Sequence, residues 1–316
     1  MRVTNRMLAN NFLTDMTTNL NNLQTLQQQL TSGKEIRRPS DDPLKVARAM
    51  QLHSEIGVNK QYNENIKDTL SWLEQTDTAL GQLGDQSQRI RELLVSAGDI
   101  AYGTDERKKI NDEIKEIIGQ MSQTLNASFD GRFIFGGTRG TAKPVNVKDG
   151  KLVYADRFGN EMTNAENIMG EKLVTEISQG VRVEYNITSV DVIEFKDNKG
   201  NDRDLRKILE DIVKHLDSDK DDDIKKITNE DLEALDAVMD NILKLRSQAG
   251  AKGNRMESAL DKNKEENFNL TEILSKTEDI DLVEKTMEYA VAISVYMASL
   301  QTSARVLQPT LMDYVR

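Results

Sequence analysis

The stretch IDLVEKTMEYAVAISVYMASLQTSARVL, residues 280–307, decides how the rest of the chain is interpreted. Its apolar residues recur in steps of four and three, which is the spacing of one face of an α-helix. One apolar row consists of Leu282, Tyr289, Ile293, Tyr296, Leu300 and Leu307, and a second consists of Val283, Met287, Ala290 and Met297. No residue between Tyr289 and Ala304 is charged. A helix without a charged side is usually surrounded by other protein on most of its circumference. The sequence therefore predicts that this helix takes part in assembly with other protein chains.

The other end of the chain has the same character. Its apolar row reads Ala9, Leu13, Met16, Leu20, Leu23, Gln27 and Leu30, and the flanking residues are mostly Asn, Thr and Gln. Two nearly neutral helices with heptad spacing are natural coiled-coil partners. The alternative is that both are core helices of a bundle, but such helices usually keep a charged outer face.

From these rows we predict an assembly interface at the two ends of the chain. Its residues are Leu13, Met16, Leu20, Leu23, Leu30, Val283, Met287, Ile293, Tyr296, Leu300 and Leu307.

Composition argues against several classes of function. The chain has 316 residues, a net charge of -11, two His and no Cys. Without basic clusters it is not expected to bind nucleic acid, and without Cys it has neither disulfides nor thiol chemistry. The first residues lack the apolar segment of a secretory signal, and no segment is apolar enough to span a membrane. We predict no catalytic residue, no metal ligand and no cofactor.

A turn is predicted between the first helix and the second. Gly33 ends the first helix, and Pro39 disfavours helix at the residue before it. Ser40 or Asp41 is expected to cap the next helix, with Asp42 alongside and Pro43 in the first turn. The Asp pair could also suggest a metal or acid–base site, but no third carboxylate or His accompanies it.

The middle of the chain alternates between long helices and a mixed segment. Residues 44–97 form one long helical pattern, a third helix follows residue 104, and helix returns from residue 230 to 276. Between them the pattern at 145–154 indicates a β-hairpin, and residues 205–216 indicate a short helix. Asp219, Asp221 and Asp223 with Glu230 resemble a calcium loop, but Ile224 stands where the loop needs glycine, so a solvated loop capped by Thr228 is the preferred interpretation.

The predicted fold is mainly α with an inserted α+β domain. It is an elongated fold-back rod of long antiparallel helices, whose N- and C-terminal helices pair as a coiled coil. We predict three parts: a terminal coiled-coil assembly domain at 1–40 with 277–316, a helical rod domain at 41–140 with 229–276, and an inserted mixed β domain at 141–228.

Several segments resemble the flagellin superfamily. Residues 33–50, with SDDP at 40–43, are similar to the turn after the first flagellin helix, and AGAKGNRME at 249–257 is similar to a flagellin run. Pro43 departs from the Ala-Ala-Gly usual in flagellin. FDGRFIFGGT at 129–138 and the tail LMDYV at 311–315 resemble the hook–filament junction branch of the superfamily. The likeness covers residues 1–138 and about 230–316.

The resemblance implies a structural adapter that forms a ring at the junction between flagellar hook and filament. The implied partners are copies of the chain itself, the other hook-associated junction protein, flagellin, and an export chaperone on the C-terminal helix. It also implies secretion by the flagellar type III apparatus into the extracellular flagellum, and no enzymatic activity. The alternatives are a filament flagellin or an unrelated coiled-coil scaffold.

Overall fold

The computed structural model describes residues 5–98, 104–148, 150–162, 169–218 and 226–306. Long helices dominate these residues. The helices are α1 Asn5–Ser32, α2 Pro43–Ala97, α3 Thr104–Leu125, α4 Ser189–Ile193, α5 Leu205–Asp217, α6 Leu232–Glu278 and α7 Leu282–Val306. A π-helical turn, Ile227–Asp231, precedes α6. The predicted mainly α fold is therefore confirmed.

Short antiparallel hairpins make up the β part of the fold. The strands are β1 Ser128–Phe129, β2 Arg132–Phe133, β3 Val145–Lys148, β4 Lys151–Tyr154, β5 Val174–Ser178, β6 Val181–Glu184, β7 Glu194–Lys196 and β8 Asp202–Asp204. Each pairs with its neighbour in sequence. In β3–β4, Val145 lies opposite Tyr154, as the predicted hairpin requires, although its Asp149 lies outside the described residues.

The chain forms two compact units. One consists of Met1–Val58 with Glu265–Arg316, and the other of Asn59–Lys264. The second unit contains every strand and most of the buried apolar side chains. The predicted division into three parts, with its boundaries, stays a prediction.

An apolar row within the predicted long helix, now α2, contributes to the core of the unit Asn59–Lys264. Ile66, Leu80, Leu83, Ile90 and Leu94 are completely buried. They pack in one cluster with apolar side chains of α3, α5 and α6. A helix spacing that keeps these positions on one face explains why the row was recognisable from sequence.

A single Asp side chain caps the N-terminus of α7, and another caps the N-terminus of α2. Asp281 accepts hydrogen bonds from the N–H groups of Val283 and Glu284 and therefore caps the start of α7. The cap of α2 was wrongly predicted: Asp42, not Ser40 or Asp41, accepts from the N–H groups of the first turn. Asp41 is occupied elsewhere, because it accepts from the N–H groups of residues 37 and 38.

The prediction for the segment before α6 was also wrong in one respect. Thr228 lies inside the π-helical turn Ile227–Asp231 and so is not its cap residue; that position belongs to Lys226, which makes no side-chain cap hydrogen bond. Asp231 Oδ2 in this turn forms a hydrogen bond of 2.7 Å with His215 Nδ1. Burial raises the pKa of the Asp231 carboxyl. Asp219, Asp221 and Asp223, which resemble part of a calcium loop but were interpreted as a solvated loop, lie outside the described residues.

Glu210 on α5 joins the helix to the β3–β4 hairpin. Its carboxylate contacts Lys151 Nζ and Lys214 Nζ, both at 2.8 Å. Hydrogen bonds from Lys151 and then Lys214 lower the pKa of Glu210 to about 2. A depressed pKa contributes stability above the pKa of the unfolded chain, and this contribution is lost as the pH falls toward about 2.

We therefore expect Glu210→Gln to lower the free energy of unfolding at pH 7 by about 0.5–1 kcal/mol, a value kept small because both lysines are solvent-exposed. The difference from wild type should shrink as the pH is lowered from 4.5 toward 2. Urea denaturation at several pH values measures it. Glu116→Gln, at an exposed position of α3, is the control and should change little. A Glu210→Gln effect that did not depend on pH would contradict this account.

Candidate assembly interface

The two terminal helices pack against each other within the unit Met1–Val58 with Glu265–Arg316. Their half-buried apolar side chains are Phe12, Met16, Leu23, Leu26 and Leu30 on α1, and Tyr289, Ile293 and Tyr296 on α7. No described side chain of either helix is fully buried. The predicted pairing is thus confirmed, but one partner helix covers only part of each apolar surface.

The face of α7 that is turned away from its half-buried side remains apolar and exposed. Val283 is 70% exposed, Met287 60%, Val291 62% and Met297 60%. At about 100° per residue, these four side chains fall on one side of the helix, roughly opposite Tyr289 and Tyr296. We call this surface, with Ala290, Ser294 and Ala298, the α7 outer face. It is larger and more contiguous than isolated exposed apolar residues, so it indicates an interaction surface.

The structure divides the predicted interface residues into three groups. Met16, Leu23, Leu30, Ile293 and Tyr296 are half-buried, whereas Leu13, Leu20, Val283, Met287 and Leu300 are exposed. Leu307 lies outside the described residues. The interface role of all of them stays a prediction.

Two exposed valines on α7 were missed by the sequence analysis. Val291 is 62% exposed and Val295 is 47% exposed. Val291 lies four residues after Met287, so helical spacing already connected it with the second apolar row. It was overlooked because the row was drawn through Ala290 instead.

Several Thr and Ser hydroxyls on the two terminal helices donate hydrogen bonds within their own helix. Thr14, Thr17, Thr18, Thr25 and Thr31 of α1 each donate to the carbonyl oxygen four residues earlier, at 2.7–3.0 Å. On α7, Ser294 and Thr302 do the same at 2.9 Å. Burying these hydroxyls under a neighbour would therefore leave no donor without an acceptor.

The predicted turn after α1 is joined to the connection between α6 and α7. Gly33 has φ +72°, as a glycine that ends a helix requires, and its carbonyl accepts from Ile280 N at 3.1 Å. Lys34 Nζ contacts Asp279 Oδ1 at 2.8 Å, and this hydrogen bond raises the pKa of Lys34. These contacts fix the start of α7 beside the end of α1. The inter-domain role of Gly33, Pro39, Ser40, Asp41, Asp42 and Pro43 stays a prediction.

The described residues offer no alternative site for metal chemistry or membrane insertion. Within them, no three His, Asp or Glu side chains come close enough to hold a metal ion. Nor is any described helix both long and apolar enough to pass through a bilayer. The α7 outer face is therefore the candidate site that we consider further.

Comparison with known proteins places this helical architecture among flagellar proteins. Residues 3–139 match the model of the bacterial flagellin N-terminal helical region. A flagellin from Bacillus subtilis strain 168 is 24% identical over 300 residues, which are 92% of this chain and 90% of the relative. Flagellar hook-associated protein 3 from Escherichia coli K12 is 23% identical over 261 residues, 80% of each chain.

A solved structure gives the same result for the fold. Flagellar hook-associated protein 3 from Legionella pneumophila is 14% identical and superposes with a TM-score of 0.60, covering 72% of this chain and 98% of that one. The relatives are structural proteins of the flagellum. Residues 3–139 of this chain are therefore similar to the flagellin N-terminal helical region, and 72% of the chain shares its fold with flagellar hook-associated protein 3.

Proposed function

We propose that the protein is a structural adapter that forms a ring at the junction between the flagellar hook and the filament. The observation that carries this proposal is the α7 outer face, which is apolar and uncharged over more than one heptad and is exposed in the single chain. A protein that functioned as a monomer would gain nothing from such a surface and would risk aggregation through it.

Neighbouring copies of the chain are the occupants that best suit this face. Contacts of one surface with a different surface of the next copy generate a closed ring when the rotation between copies closes. A hook-side junction protein and flagellin would then contact the two sides of that ring. We propose in addition that an export chaperone covers α7 before the chain leaves the cell through the flagellar type III apparatus, because this face would otherwise meet water.

Filament flagellin is the second candidate, and one observation favours it. The similarity to the flagellin of Bacillus subtilis extends over 92% of the present chain. Against it stand the fold likeness to hook-associated protein 3 and the run FDGRFIFGGT at 129–138, which resembles the junction branch. Both candidates share the prediction that the terminal helices assemble.

Deletion of the gene distinguishes these candidates. If the chain is the junction adapter, the deletion strain should lose motility and release flagellin monomers into the medium, because the filament has no junction to grow on. Immunoblots of the medium and swimming assays measure this, with re-expression of the full chain as the control. A deletion strain that leaves no flagellin to release would identify a filament flagellin, and a motile strain would overturn the flagellar role.

A further inference from the structure

A cleft of about 600 Å³ opens on the unit Asn59–Lys264. Its wall includes Trp72, Phe129 and Tyr185. The indole of Trp72 meets the other two rings edge to face, with centroids 6.2 Å and 6.0 Å away. Such a group of three rings provides a large apolar contact surface with fixed geometry. We call it the Trp72 cleft.

The Trp72 cleft combines this aromatic wall with an acidic rim. Asp68 and Asp130 line it and are exposed, and Arg132 is the one cation among the residues that line it. Trp72 itself is only 6% exposed, and its indole N–H has no hydrogen-bond acceptor in the described part of the chain. Phe129 and Tyr185 are only half-buried, so part of each ring remains available to an occupant.

Elsewhere on the same unit, one aromatic side chain projects from the surface. Phe158 is 89% exposed, the largest exposed fraction among the large apolar side chains described. It lies in the loop 156–160, which we call the Phe158 loop. Arg157 beside it and Lys143 across the adjacent pocket are exposed too. In a chain of net charge -11, Arg157 and Lys143 are two cations beside this exposed ring, while Asp156 leaves the loop 156–160 itself without net charge.

The Phe158 loop is held in one conformation by its own hydrogen bonds. Asp156 Oδ1 accepts from Phe158 N at 2.7 Å and from Asn160 N at 2.9 Å. Gly159 has φ +83°, and its carbonyl accepts from Asn146 Nδ2 at 3.1 Å. The hydrogen bonds from the backbone N–H groups of Asn160 and Phe158 lower the pKa of Asp156, and its carboxylate is ionised at neutral pH. An anchor displayed on a preorganised loop loses little conformational entropy when it binds.

We propose that Phe158 inserts into the Trp72 cleft of a second copy of this chain, with Arg157 facing Asp68 and Asp130. A single exposed ring would meet an aromatic cleft, and the exposed Arg157 cation would meet the two exposed carboxylates of the rim. Because loop and cleft are different surfaces, the contact is head-to-tail and can close into a ring. The inference rests on the proposed function in one respect, namely that the chain assembles with itself.

The chain contains a single Trp, so its fluorescence reports directly on the cleft. We expect the emission of Trp72 in the purified full chain to change with protein concentration, in parallel with self-association in analytical ultracentrifugation. Phe158→Ala should weaken the association that changes Trp72 emission at least about tenfold, as expected for an anchor residue. Phe268→Ala, which truncates another exposed ring of 69% exposure on α6, is the matched control and should leave this emission change intact.

Mixing two variants tests the head-to-tail arrangement. Ser71→Arg fills the cleft at an exposed position of α2 but keeps Phe158, whereas Phe158→Ala keeps the cleft. Each variant alone should fail to show the concentration-dependent change in Trp72 emission. A mixture of the two should show it again, because the Phe158 of one variant can enter the open cleft of the other. Normal association by Phe158→Ala, no concentration dependence in wild type, or no recovery by folded variants on mixing would overturn the inference. Association through α1 and α7 without any Trp72 change would also overturn it, yet would leave the proposed function standing.

Discussion

Val291→Asp is expected to abolish assembly while leaving the single chain folded. Val291 is 62% exposed in the monomer, so a carboxylate there remains hydrated until a neighbour covers the α7 outer face. Once covered, the charge has no cationic partner on α7 between residues 289 and 304, and burying an unpaired carboxylate costs several kcal/mol. The association constant should fall by at least about a hundredfold.

Two other variants separate charge from shape and from position. Val291→Thr has nearly the shape of the wild type, and its hydroxyl can donate to the carbonyl four residues earlier, so assembly should fall less than about tenfold. Val95→Asp introduces the same charge at a valine of 50% exposure on α2 and should leave assembly intact. Motility and electron microscopy of complemented deletion strains provide the measurement. Normal flagella in the Val291→Asp strain would contradict the role of this face.

Gly137→Ala is expected to destabilise the unit Asn59–Lys264 by at least about 3 kcal/mol. Gly137 has φ +59°, and a Cβ atom built there would lie 2.3 Å from the carbonyl oxygen of Met169 and 3.1 Å from that of Glu171. Both obstacles are backbone atoms, so the clash cannot be relieved by turning a side chain. The left-handed backbone adds a further cost of about 1 kcal/mol.

Gly131→Ala is the matched control because it isolates the backbone term. Gly131 has φ +73° in the turn between β1 and β2, but nothing lies within 4 Å of the Cβ position. It should therefore cost only about 1 kcal/mol. Urea denaturation followed by Trp72 fluorescence measures both variants. Equal losses for the two would mean that the contact with Met169 does not matter.

The surroundings of Gly137 also give a structural reason for the pair Gly136–Gly137 in the run 129–138. The pair Gly136–Gly137 lacks the pattern of a phosphate-binding loop. In the structure the chain passes close to other backbone at both positions, since a Cβ on Gly136 would lie 2.8 Å from the carbonyl oxygen of Arg139. Close backbone approach, which only folding reveals, requires glycine here.

Helical periodicity carried most of what could be predicted. The row Ile66 to Leu94 was recognisable because a helix repeats its buried positions at fixed spacing, and the same reasoning paired α1 with α7. Features that depend on a single hydrogen bond were harder to predict from the sequence. Three consecutive residues, Ser40, Asp41 and Asp42, are all good caps, and only the path of the backbone selects the last of them.

The Trp72 cleft could not be predicted from sequence. Its three rings belong to residues 72, 129 and 185, which come from a long helix, a two-residue strand and the segment after β6. No spacing rule connects positions so far apart in the chain. Phe158 was likewise overlooked, because a lone aromatic residue in a loop carries no periodic signal and only its 89% exposure makes it notable.

The hydroxyls of α1 and α7 that bond within their own helices have a consequence for the environment in which assembly can persist. A contact made from aliphatic groups and self-satisfied hydroxyls contains no charge for dissolved ions to screen, and no group that titrates near neutrality. Salinity and acidity of the surrounding water therefore have little influence on it. Within the proposed assembly, the part formed by these two helices would thus hold at any salinity, whereas the proposed contact of Arg157 with Asp68 and Asp130 would weaken as salt is added.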